Sequence, residues 1–575
     1  MKAYILFLFL SSGLSVSLAQ PFVPVSSGLP PIGRSAVAFA DFDNDHDLDL
    51  VMVGLDESAQ PLGKIFLNAQ GVFSDTASGI SGLYNCALAL ADYDLDGYID
   101  VVMTGRDING NATRLYRNLG DGTFGLTDDL FNAGGSDGDV AWGDYDNDAY
   151  PDLVISGNWD TRLYHNNGDG TFAEVTAGLT IMNTPSLDWG DCDNDGDPDL
   201  LMVGDAGSVA ETFIYLNENG IFSRLEVPVE GAVGGTASWG DFDNDGNPDI
   251  LISGKDVSLV PVSYVYRNNG DKTFSFANAG LVGTALGPAD WIDYDNDGDL
   301  DIMLAGENAG CGNASTRLYN NNGVGSFDEF PAGLPFVERA SSAWGDYDND
   351  GDYDLLLTGL SGDPVSILYR NDIQTGAFQQ NTPPGVPGNL YSYASGDYAV
   401  ISWSRVTDLQ SPQMAISYNV MVGSESGNID VVSPQADIET GVRYTAGTGN
   451  TGSNDFMVFR SLNPGDYYFR VQAIDQAYEG SEFSTEGSFT VLSTDVNSVE
   501  TPVTGIFTDG SLLRLVNTGS EDADVSIVSV TGAVVWSGKI TKNDFSLSLE
   551  NLRSGVYLVR MVKEGKQVTG KIIRQ

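Results

Sequence analysis

The stretch Asp293-Tyr-Asp-Asn-Asp-Gly-Asp-Leu-Asp301 decides how the rest of the chain is read. Its aspartates occupy positions 1, 3, 5 and 9 of a nine-residue loop, and Gly298 at position 6 permits a sharp backbone turn. Alternating carboxylates before a glycine wrap oxygen atoms around one hard cation, and Ca²⁺ accepts roughly six to eight such ligands in irregular geometry. Mg²⁺ requires a tighter octahedron, and Zn²⁺ prefers nitrogen and sulfur. The stretch therefore predicts a calcium loop.

The same loop occurs seven times at nearly constant spacing. The copies begin at intervals of 51, 52, 47, 50, 52 and 53 residues, and each carries aspartate at positions 1, 3, 5 and 9. Glycine is kept at position 6 in five copies, whereas His46 and Ala149 replace it in the first and third. A single acidic turn is usually a solvated loop, but seven copies in register argue strongly against that alternative.

The predicted calcium ligands are the four aspartates of each loop. In chain order they are Asp41, Asp43, Asp45 and Asp49; Asp92, Asp94, Asp96 and Asp100; Asp144, Asp146, Asp148 and Asp152; Asp191, Asp193, Asp195 and Asp199; Asp241, Asp243, Asp245 and Asp249; Asp293, Asp295, Asp297 and Asp301; and Asp346, Asp348, Asp350 and Asp354.

The remainder of each repeat supplies four short strands. An apolar stretch such as Ser342-Ala-Trp-Gly345 precedes the loop, and a run such as Ile302-Met-Leu-Ala-Gly306 follows it as a buried strand. A stretch such as Leu115-Tyr-Arg-Asn118 comes next, and a turn ending in Phe completes the repeat, as in Asn166–Phe172. A period near 50 residues with four strands predicts a β-propeller.

Recurring Asp-x-Asp-x-Asp-Gly-x-x-Asp within such units resembles the FG-GAP or VCBS repeats of integrin α-subunit propellers and of many secreted bacterial proteins. The resemblance covers about residues 21–371. It implies a seven-bladed propeller stapled by up to seven Ca²⁺ ions, within residues 20–380. In that family the calcium loops lie on one face and ligands use the opposite face.

The start of the chain has two features. Residues 1–19 read as a secretory signal peptide, because the apolar run Tyr4–Leu10 is followed by small residues up to Ala19. Beyond it no run approaches the length of a membrane-spanning helix. Phe22–Leu29 resembles the end of a repeat and could complete the last blade, which would remove open sheet edges. Gly376-Ala-Phe378 could compete for that place.

Two further β domains are predicted after a Pro/Gly linker at residues 381–388. In residues 384–492, Leu462-Asn-Pro-Gly-Asp-Tyr467 resembles the tyrosine corner of fibronectin type III sandwiches, with Trp403 as the core tryptophan. Such a module is expected to be a spacer, with a binding platform as the alternative.

Residues 500–575 form the second, a small β-sandwich whose Ser554-Gly-Val-Tyr-Leu-Val-Arg560 strand and basic terminus resemble the type A sorting domain of the type IX secretion system. That resemblance implies contact with the secretion machinery. It also implies delivery outside the cell, or to the outer cell surface, of a Gram-negative bacterium.

Charge and cysteine content limit the partners. The formal net charge is −53, and seven Ca²⁺ ions would still leave about −39, which argues against nucleic acid or anionic lipid. Cys86, Cys192 and Cys311 lie in different repeats and show no disulfide framework. Cys192, at position 2 of a calcium loop, is expected to be a packed side chain with no redox role.

Two classes of function follow from these patterns. No nucleophile elbow, zinc-protease motif or phosphate loop is present, and the two histidines replace structural residues within repeats. The calcium loops are uniform in length, whereas the loops opposite them vary. This combination favours a scaffold that binds an extracellular protein or glycan. Candidate binding loops are Asp56–Gly63, Arg106–Thr113 and Glu307–Thr316, and Trp159 is a weaker candidate for stacking on a sugar. The alternative is a calcium-dependent polysaccharide-degrading enzyme or its accessory subunit, because acid pairs leave no motif.

Overall fold

The computed structural model describes residues 22–128, 133–308, 314–323, 326–373, 380–395 and 398–492, together with seven strands of the C-terminal region. All regular elements in these residues are β-strands joined by turns, so the chain is all-β. The predicted signal peptide, Cys311 and the Gly376–Phe378 segment lie outside the described residues.

Within the described residues, seven successive units each contain four antiparallel strands. Units 1 to 3 are β2 (Gly33–Ala40), β3 (Asp49–Leu55), β4 (Pro61–Ala69) and β5 (Val72–Asp75); β6 (Tyr84–Ala91), β7 (Asp100–Arg106), β8 (Asn111–Asn118) and β9 (Phe124–Asp128); and β10 (Asp139–Gly143), β11 (Asp152–Gly157), β12 (Asp160–Asn166) and β13 (Phe172–Val175). Units 4 and 5 are β14 (Asn183–Gly190), β15 (Asp199–Asp205), β16 (Ala210–Glu218) and β17 (Ile221–Leu225); and β18 (Ala237–Gly240), β19 (Asp249–Lys255), β20 (Pro261–Asn268) and β21 (Phe274–Ala277).

The last two units have additional connections. The short strand β22 (Thr284–Ala285) bridges units 5 and 6 into one nine-stranded sheet. Unit 6 contains β23 (Ala289–Ile292), β24 (Asp301–Asn308), β25 (Ala314–Asn321) and β26 (Phe327–Phe330). Unit 7 contains β27 (Glu338–Gly345), β28 (Asp354–Ser361), β29 (Asp363–Asn371) and, as its fourth strand, β1 (Phe22–Val25).

The pairing of β1 with β29 resolves the choice left open by the sequence. Phe22 lies opposite Asn371 and Val25 opposite Leu368 in an antiparallel register. The N-terminal strand therefore completes the last unit. The two ends of the repeat region also pack together, since Phe39 and Leu50 of unit 1 share a buried cluster with Leu356 of unit 7.

Successive units stack through their first and second strands. The first strand β2 lies against β6 of the next unit and against β27 of the last, and β6, β10, β14, β18 and β23 continue the series. Second strands such as β3 are buried along nearly their whole length because neighbouring units cover both faces. The Trp-Gly pairs before the loops fit this stacking: a Cβ on Gly190 would come within 2.7 Å of Trp239 in the next unit.

Residues 384–492 contain two three-stranded antiparallel sheets. Their strands are β30 (Gly388–Ser395), β31 (Tyr398–Ser404), β32 (Ser417–Gly423), β33 (Phe456–Phe459), β34 (Gly465–Ile474) and β35 (Gly487–Val491). The sheets have the orders β30-β31-β33 and β32-β34-β35 and enclose Trp403, which is fully buried. The Tyr467 hydroxyl donates a 2.8 Å hydrogen bond to the carbonyl of Asn463, as a tyrosine corner does.

The C-terminal region forms two more antiparallel sheets, of three and four strands. Their strands are β36 (Gly505–Asp509), β37 (Leu512–Val516), β38 (Ala523–Ser529), β39 (Val534–Ile540), β40 (Asp544–Ser548), β41 (Gly555–Lys563) and β42 (Lys566–Arg574). Val525, Ile527 and Val559 are buried between strands, as expected for a small β core.

Candidate metal centre

Each acidic loop is folded around the carboxylate at position 1. In all seven loops this carboxylate accepts hydrogen bonds from the backbone N–H groups of positions 5 and 6, at 2.7–3.1 Å. The residue at position 6 has a positive φ throughout, including His46 at 71° and Ala149 at 77°. The two replacements of glycine therefore do adopt the strained left-handed backbone that the sequence predicts for them.

The carboxylate at position 9 ties the loop to the sheet. One oxygen accepts the N–H of position 2 at 2.8–3.3 Å. The other accepts the N–H of an asparagine at the end of the third strand, or one residue before it, at 2.7–2.8 Å. Each oxygen retains a second lone pair for a cation.

That asparagine links neighbouring units, a role that the sequence did not reveal. Its side-chain NH₂ donates to the carbonyl of loop position 2 in the preceding unit, at 2.7–2.9 Å. The series closes on itself because Asn68 of unit 1 reaches Tyr347 of unit 7. The recurrence of asparagine at the end of each third strand was the available signal; the residues are Asn68, Asn118, Asn166, Asn217, Asn268, Asn321 and Asn371.

The carboxylate at position 3 has one oxygen that could serve as a cation ligand. In six of the seven loops its Oδ1 atom is buried and accepts no hydrogen bond from the described residues. These residues are Asp43, Asp94, Asp193, Asp243, Asp295 and Asp348. A buried carboxylate oxygen without a donor is costly. It is stabilised when a metal ion takes it as a ligand.

The converging groups are of the type that calcium binds. Within the described residues, carboxylate oxygens from positions 1, 3 and 5 lie within 4.8 Å of one another in the first and second loops, and those of positions 1, 3 and 9 do so in the third. An all-oxygen set drawn from carboxylates fits Ca²⁺ and does not suit Zn²⁺. The residues present therefore fit the predicted ion.

Burial makes these acids unfavourable as bare anions. It raises the pKa of Asp49, Asp100, Asp152 and Asp301, all at position 9, to about 9. It also raises the pKa of Asp92 at position 1 to about 7. Without a cation, neighbouring like charges and poor solvation both oppose ionisation at neutral pH.

Basic side chains offset part of this charge from outside the loop. Arg117, in the Leu-Tyr-Arg-Asn stretch of unit 2, pairs with Asp94 at 2.7 Å and Asp96 at 2.6 Å. Arg267 pairs in the same way with Asp243 and Asp245 of unit 5. Each Arg117 and Arg267 contact uses the Oδ2 atom, so the Oδ1 atoms at position 3 remain available. His165 replaces this arginine in unit 3 and lies 3.3 Å from Asp146.

The β-sandwich of residues 384–492 packs on the acidic loops, so the expectation of a spacer is wrong. Hydrogen bonds from residues 433–479 reach all seven loops. Asn454 donates to the position-1 carboxylate of Asp241 at 2.9 Å, and the carbonyl of Tyr444 accepts the N–H of Asp92. The sequence could not predict this contact because the residues involved come from irregular connections and follow no repeat.

Two of these contacts involve basic side chains. One accounts for His46, which departs from the repeat pattern, and the other brings Arg460 to the acidic loops. His46, which replaces the loop glycine, lies 2.6 Å from Glu479 of the sandwich, and this hydrogen bond raises the pKa of His46 to about 9. Arg460 donates to the Asn247 side chain at 2.8 Å and to the carbonyl of Gly270. The backbone N–H of Arg460 donates a hydrogen bond to the carbonyl of Asn194 at 2.6 Å.

The other residues singled out from the sequence lie in different environments. Cys192 is buried in an apolar cluster with Leu201 and Ile250, as expected for a packed residue. Trp159 is 46% exposed, at the connection between β11 and β12. The connections at Asp56–Gly63 and Arg106–Thr113 lie at the opposite ends of their strands from the acidic loops. Part of Glu307–Thr316 is outside the described residues.

Comparison with known families agrees with two of the resemblances. The model of the FG-GAP-like repeat matches five overlapping segments, at residues 92–155, 144–202, 191–252, 241–304 and 293–357. The model of the secretion system C-terminal sorting domain matches residues 502–575. The chain contains FG-GAP-like repeats and a type IX sorting domain. A sorting domain of this kind implies secretion or attachment at the outer surface in Bacteroidetes.

Solved structures resemble the chain only distantly. One is an Agrocybe aegerita lectin that recognises non-reducing terminal N-acetylglucosamine, at 21% identity and a TM-score of 0.36, covering 52% of this chain and 80% of the lectin. Another is the extracellular domain of a hybrid two-component system from B. thetaiotaomicron, at 12% identity and a TM-score of 0.36, covering 82% of this chain and 58% of that one. No curated protein matches the chain. The part of the chain that the structure describes contains no helix long and apolar enough to cross a membrane.

Proposed function

We propose that the protein is an extracellular binding protein built on a seven-bladed, calcium-stapled β-propeller. The seven four-stranded units and the asparagine series that returns from unit 1 to unit 7 support a closed ring. The buried position-3 oxygens of six loops, and the grouped carboxylates of Asp144, Asp146 and Asp152 in the third, support one Ca²⁺ per loop. The sandwich, which we assign to the fibronectin type III class on its tyrosine corner, acts as a cap on the metal face.

The main support for a binding role is that the sandwich covers only the face of the repeats that holds the acidic loops. Because the sandwich contacts all seven acidic loops, the opposite face is the one left for a ligand. On that face the hairpin tips expose apolar side chains, among them Ile108 at 82%, Val257 at 73% and Leu259 at 71%. Exposed apolar residues on connections of uneven length are typical of a surface that recognises a protein or glycan.

A binding screen with the secreted chain tests this function. Glycan arrays and pull-downs of surface proteins in calcium should identify a ligand. Exchanging the Arg106–Thr113 hairpin for the equivalent and shorter Asn158–Thr161 hairpin should change affinity without lowering Tm, because the strand register is kept. Exchanging the β12–β13 turn on the metal face, residues 167–171, serves as the matched control. Binding that survives every hairpin exchange but is lost with changes in residues 384–492 would contradict the proposal.

A further inference from the structure

A cavity of about 350 Å³ lies where the seven first strands begin, at the ends of the strands away from the acidic loops. Residues from all seven units line it, so it occupies the axis around which the units are arranged. Its volume falls at the lower end of the range for small-molecule sites, roughly 300–1,000 Å³. It is therefore large enough for one sugar-sized ligand and too small for a folded partner.

One backbone position forms the rim of this cavity in every unit. The residue seven places before each acidic loop has a positive φ, between 45° and 62°. The residues are Arg34, Asn85, Asp137, Thr184, Gly234, Leu286 and Arg339. Backbone hydrogen bonds join this rim between units, from Asp137 to Asn85 at 2.8 Å and from Leu286 to Gly234 at 2.6 Å. A left-handed Thr is unusual, and strain of this kind is retained where the surroundings fix it.

The rim is positively charged on one side. Arg34 and Arg339 belong to units 1 and 7, whose first strands β2 and β27 are neighbours. Arg34 donates to the Asn85 side chain at 3.3 Å, and no described carboxylate forms an ion pair with either guanidinium. Two half-buried guanidinium groups without carboxylate partners are notable in a chain of net charge −53. The planar guanidinium matches a carboxylate in a bidentate manner.

The acids on the cavity wall are already engaged. Asp139 accepts the N–H of Leu187 in the next unit at 2.9 Å. Asp290 accepts hydrogen bonds from the Ser342 hydroxyl and, at 3.1 Å, from the Trp344 indole N–H. These carboxylates therefore bridge neighbouring units and form no ion pair with Arg34 or Arg339.

The rest of the lining suits hydroxyl groups. Thr236, Ser341 and Ser342 contribute hydroxyls to the wall, and Asn85 contributes an amide on the side next to Arg34. Asp137 is exposed at the rim and accepts hydrogen bonds from Asn85 and Ser136. Thr236 and Ser342 already donate to Gly287 and Asp290, but their hydroxyl oxygens keep lone pairs that can accept hydrogen bonds from the ring hydroxyls of a sugar.

We propose that this axial cavity binds an acidic sugar of the hexuronate class, with its carboxylate between Arg34 and Arg339 and its hydroxyls toward Asn85 and the hydroxyl-bearing wall. The proposal rests on the extracellular binding role proposed above and names a site and ligand class for it. The sugar would enter from the face that the sandwich leaves open.

Calorimetric titration of the full secreted chain with glucuronate, glucose and acetate tests the site. Glucuronate should bind at least ten-fold more tightly than either glucose or acetate, because only glucuronate presents carboxylate and hydroxyls together. Arg34→Gln combined with Arg339→Gln should abolish that preference for glucuronate over glucose. Arg162→Gln is the control, because Arg162 pairs with Asp160 and Glu174 on an outer strand. Asn85→Ala should weaken both sugars and leave acetate unchanged.

The outcomes separate this proposal from the general binding role. Equal affinity for glucuronate and glucose, equal affinity for glucuronate and acetate, or full retention of glucuronate binding in the folded double variant would each overturn it. Unchanged Tm of the double variant shows that a loss of binding is not a loss of folding. If hexuronates fail here while an array ligand responds to hairpin exchange, the axial site is wrong and the binding function stands.

Discussion

At the scale of single residues, positions 1 and 3 of the acidic loops have different roles. The carboxylate at position 1 lies in the candidate metal site and also accepts two backbone N–H groups, as Asp293 does from Asp297 and Gly298 at 3.1 and 3.0 Å. At position 3, the Oδ1 atom of Asp295 has no hydrogen-bond donor among the described residues, while its Oδ2 accepts from Asn320 at 2.6 Å. Substitutions at the two positions should therefore affect stability differently.

Asp295→Asn isolates the metal contribution. It keeps an acceptor for Asn320 and removes a charge, so it should lower Tm by a few degrees in millimolar calcium and leave Tm unchanged or raised in chelator. An extracellular calcium site contributes about 1–2 kcal/mol under these conditions. Asp293→Ala should lower Tm in both conditions, because it also removes a loop cap. Thermal melts measure this, with Asp271→Asn in an exposed turn as control. Equal loss in calcium and chelator for Asp295→Asn would contradict a metal role.

Asp188 predicts a pH dependence that does not involve the metal loops. Its carboxylate accepts the N–H of Trp239 at 2.8 Å, and burial raises the pKa of Asp188 to about 7 from 3.8. A raised pKa in the folded state means that this group's stabilising contribution is complete below pH 3.8 and is lost as the pH rises through 7. Asp188→Asn should thus raise Tm at pH 8 and change it little at pH 4. A constant difference between the two proteins across this range would contradict the assignment.

At the scale of elements, the sandwich is held by the loops it covers. Arg460 contacts units 4 and 5 through Asn194, Asn247 and Gly270. Each of those residues belongs to an acidic loop or to the turn beside it. The position of the sandwich therefore depends on the loops keeping their folded shape, which calcium should enforce.

Arg460→Glu should loosen this contact. A carboxylate placed beside the acidic loops repels them and removes the hydrogen bonds of the guanidinium. Hydrogen exchange should become faster in residues 433–479 and remain unchanged in β30 and β31, which lie outside that segment. Arg470→Glu is the control, since Arg470 lies on the sandwich and faces Glu486 at 3.7 Å. Unchanged exchange in the Arg460 variant would show that these hydrogen bonds do not hold the domain.

The sequence predicted the elements that repeat and missed those that do not. Position, spacing and backbone strain of the seven loops were readable because Asp293–Asp301 and its copies repeat the same chemistry. The linking role of Asn68 and its equivalents was missed because a terminal asparagine has many possible partners. The docking of Tyr444 and Asn454 depends on one irregular connection, and no period signals such a contact.

At the scale of the whole molecule, the C-terminal sorting domain follows the repeats and the sandwich in the chain. The family match begins at residue 502, after the sandwich ends with β35. Deleting residues 500–575 should leave the protein folded but retained in the periplasm, because the delivery signal is lost. Cell fractionation and a thermal melt of the periplasmic protein measure the two effects. Normal surface delivery of the shortened chain would contradict the sorting role.

We propose that calcium at the acidic loops holds the ring of units and its cap together. Calorimetric titration of the calcium-stripped protein, with melts in calcium and in chelator, tests it most directly. We expect a stoichiometry of about seven, with the loops containing His46 and Ala149 binding most weakly, and a clearly higher Tm in calcium. A stoichiometry near zero, or identical melts in the two conditions, would contradict this role of calcium.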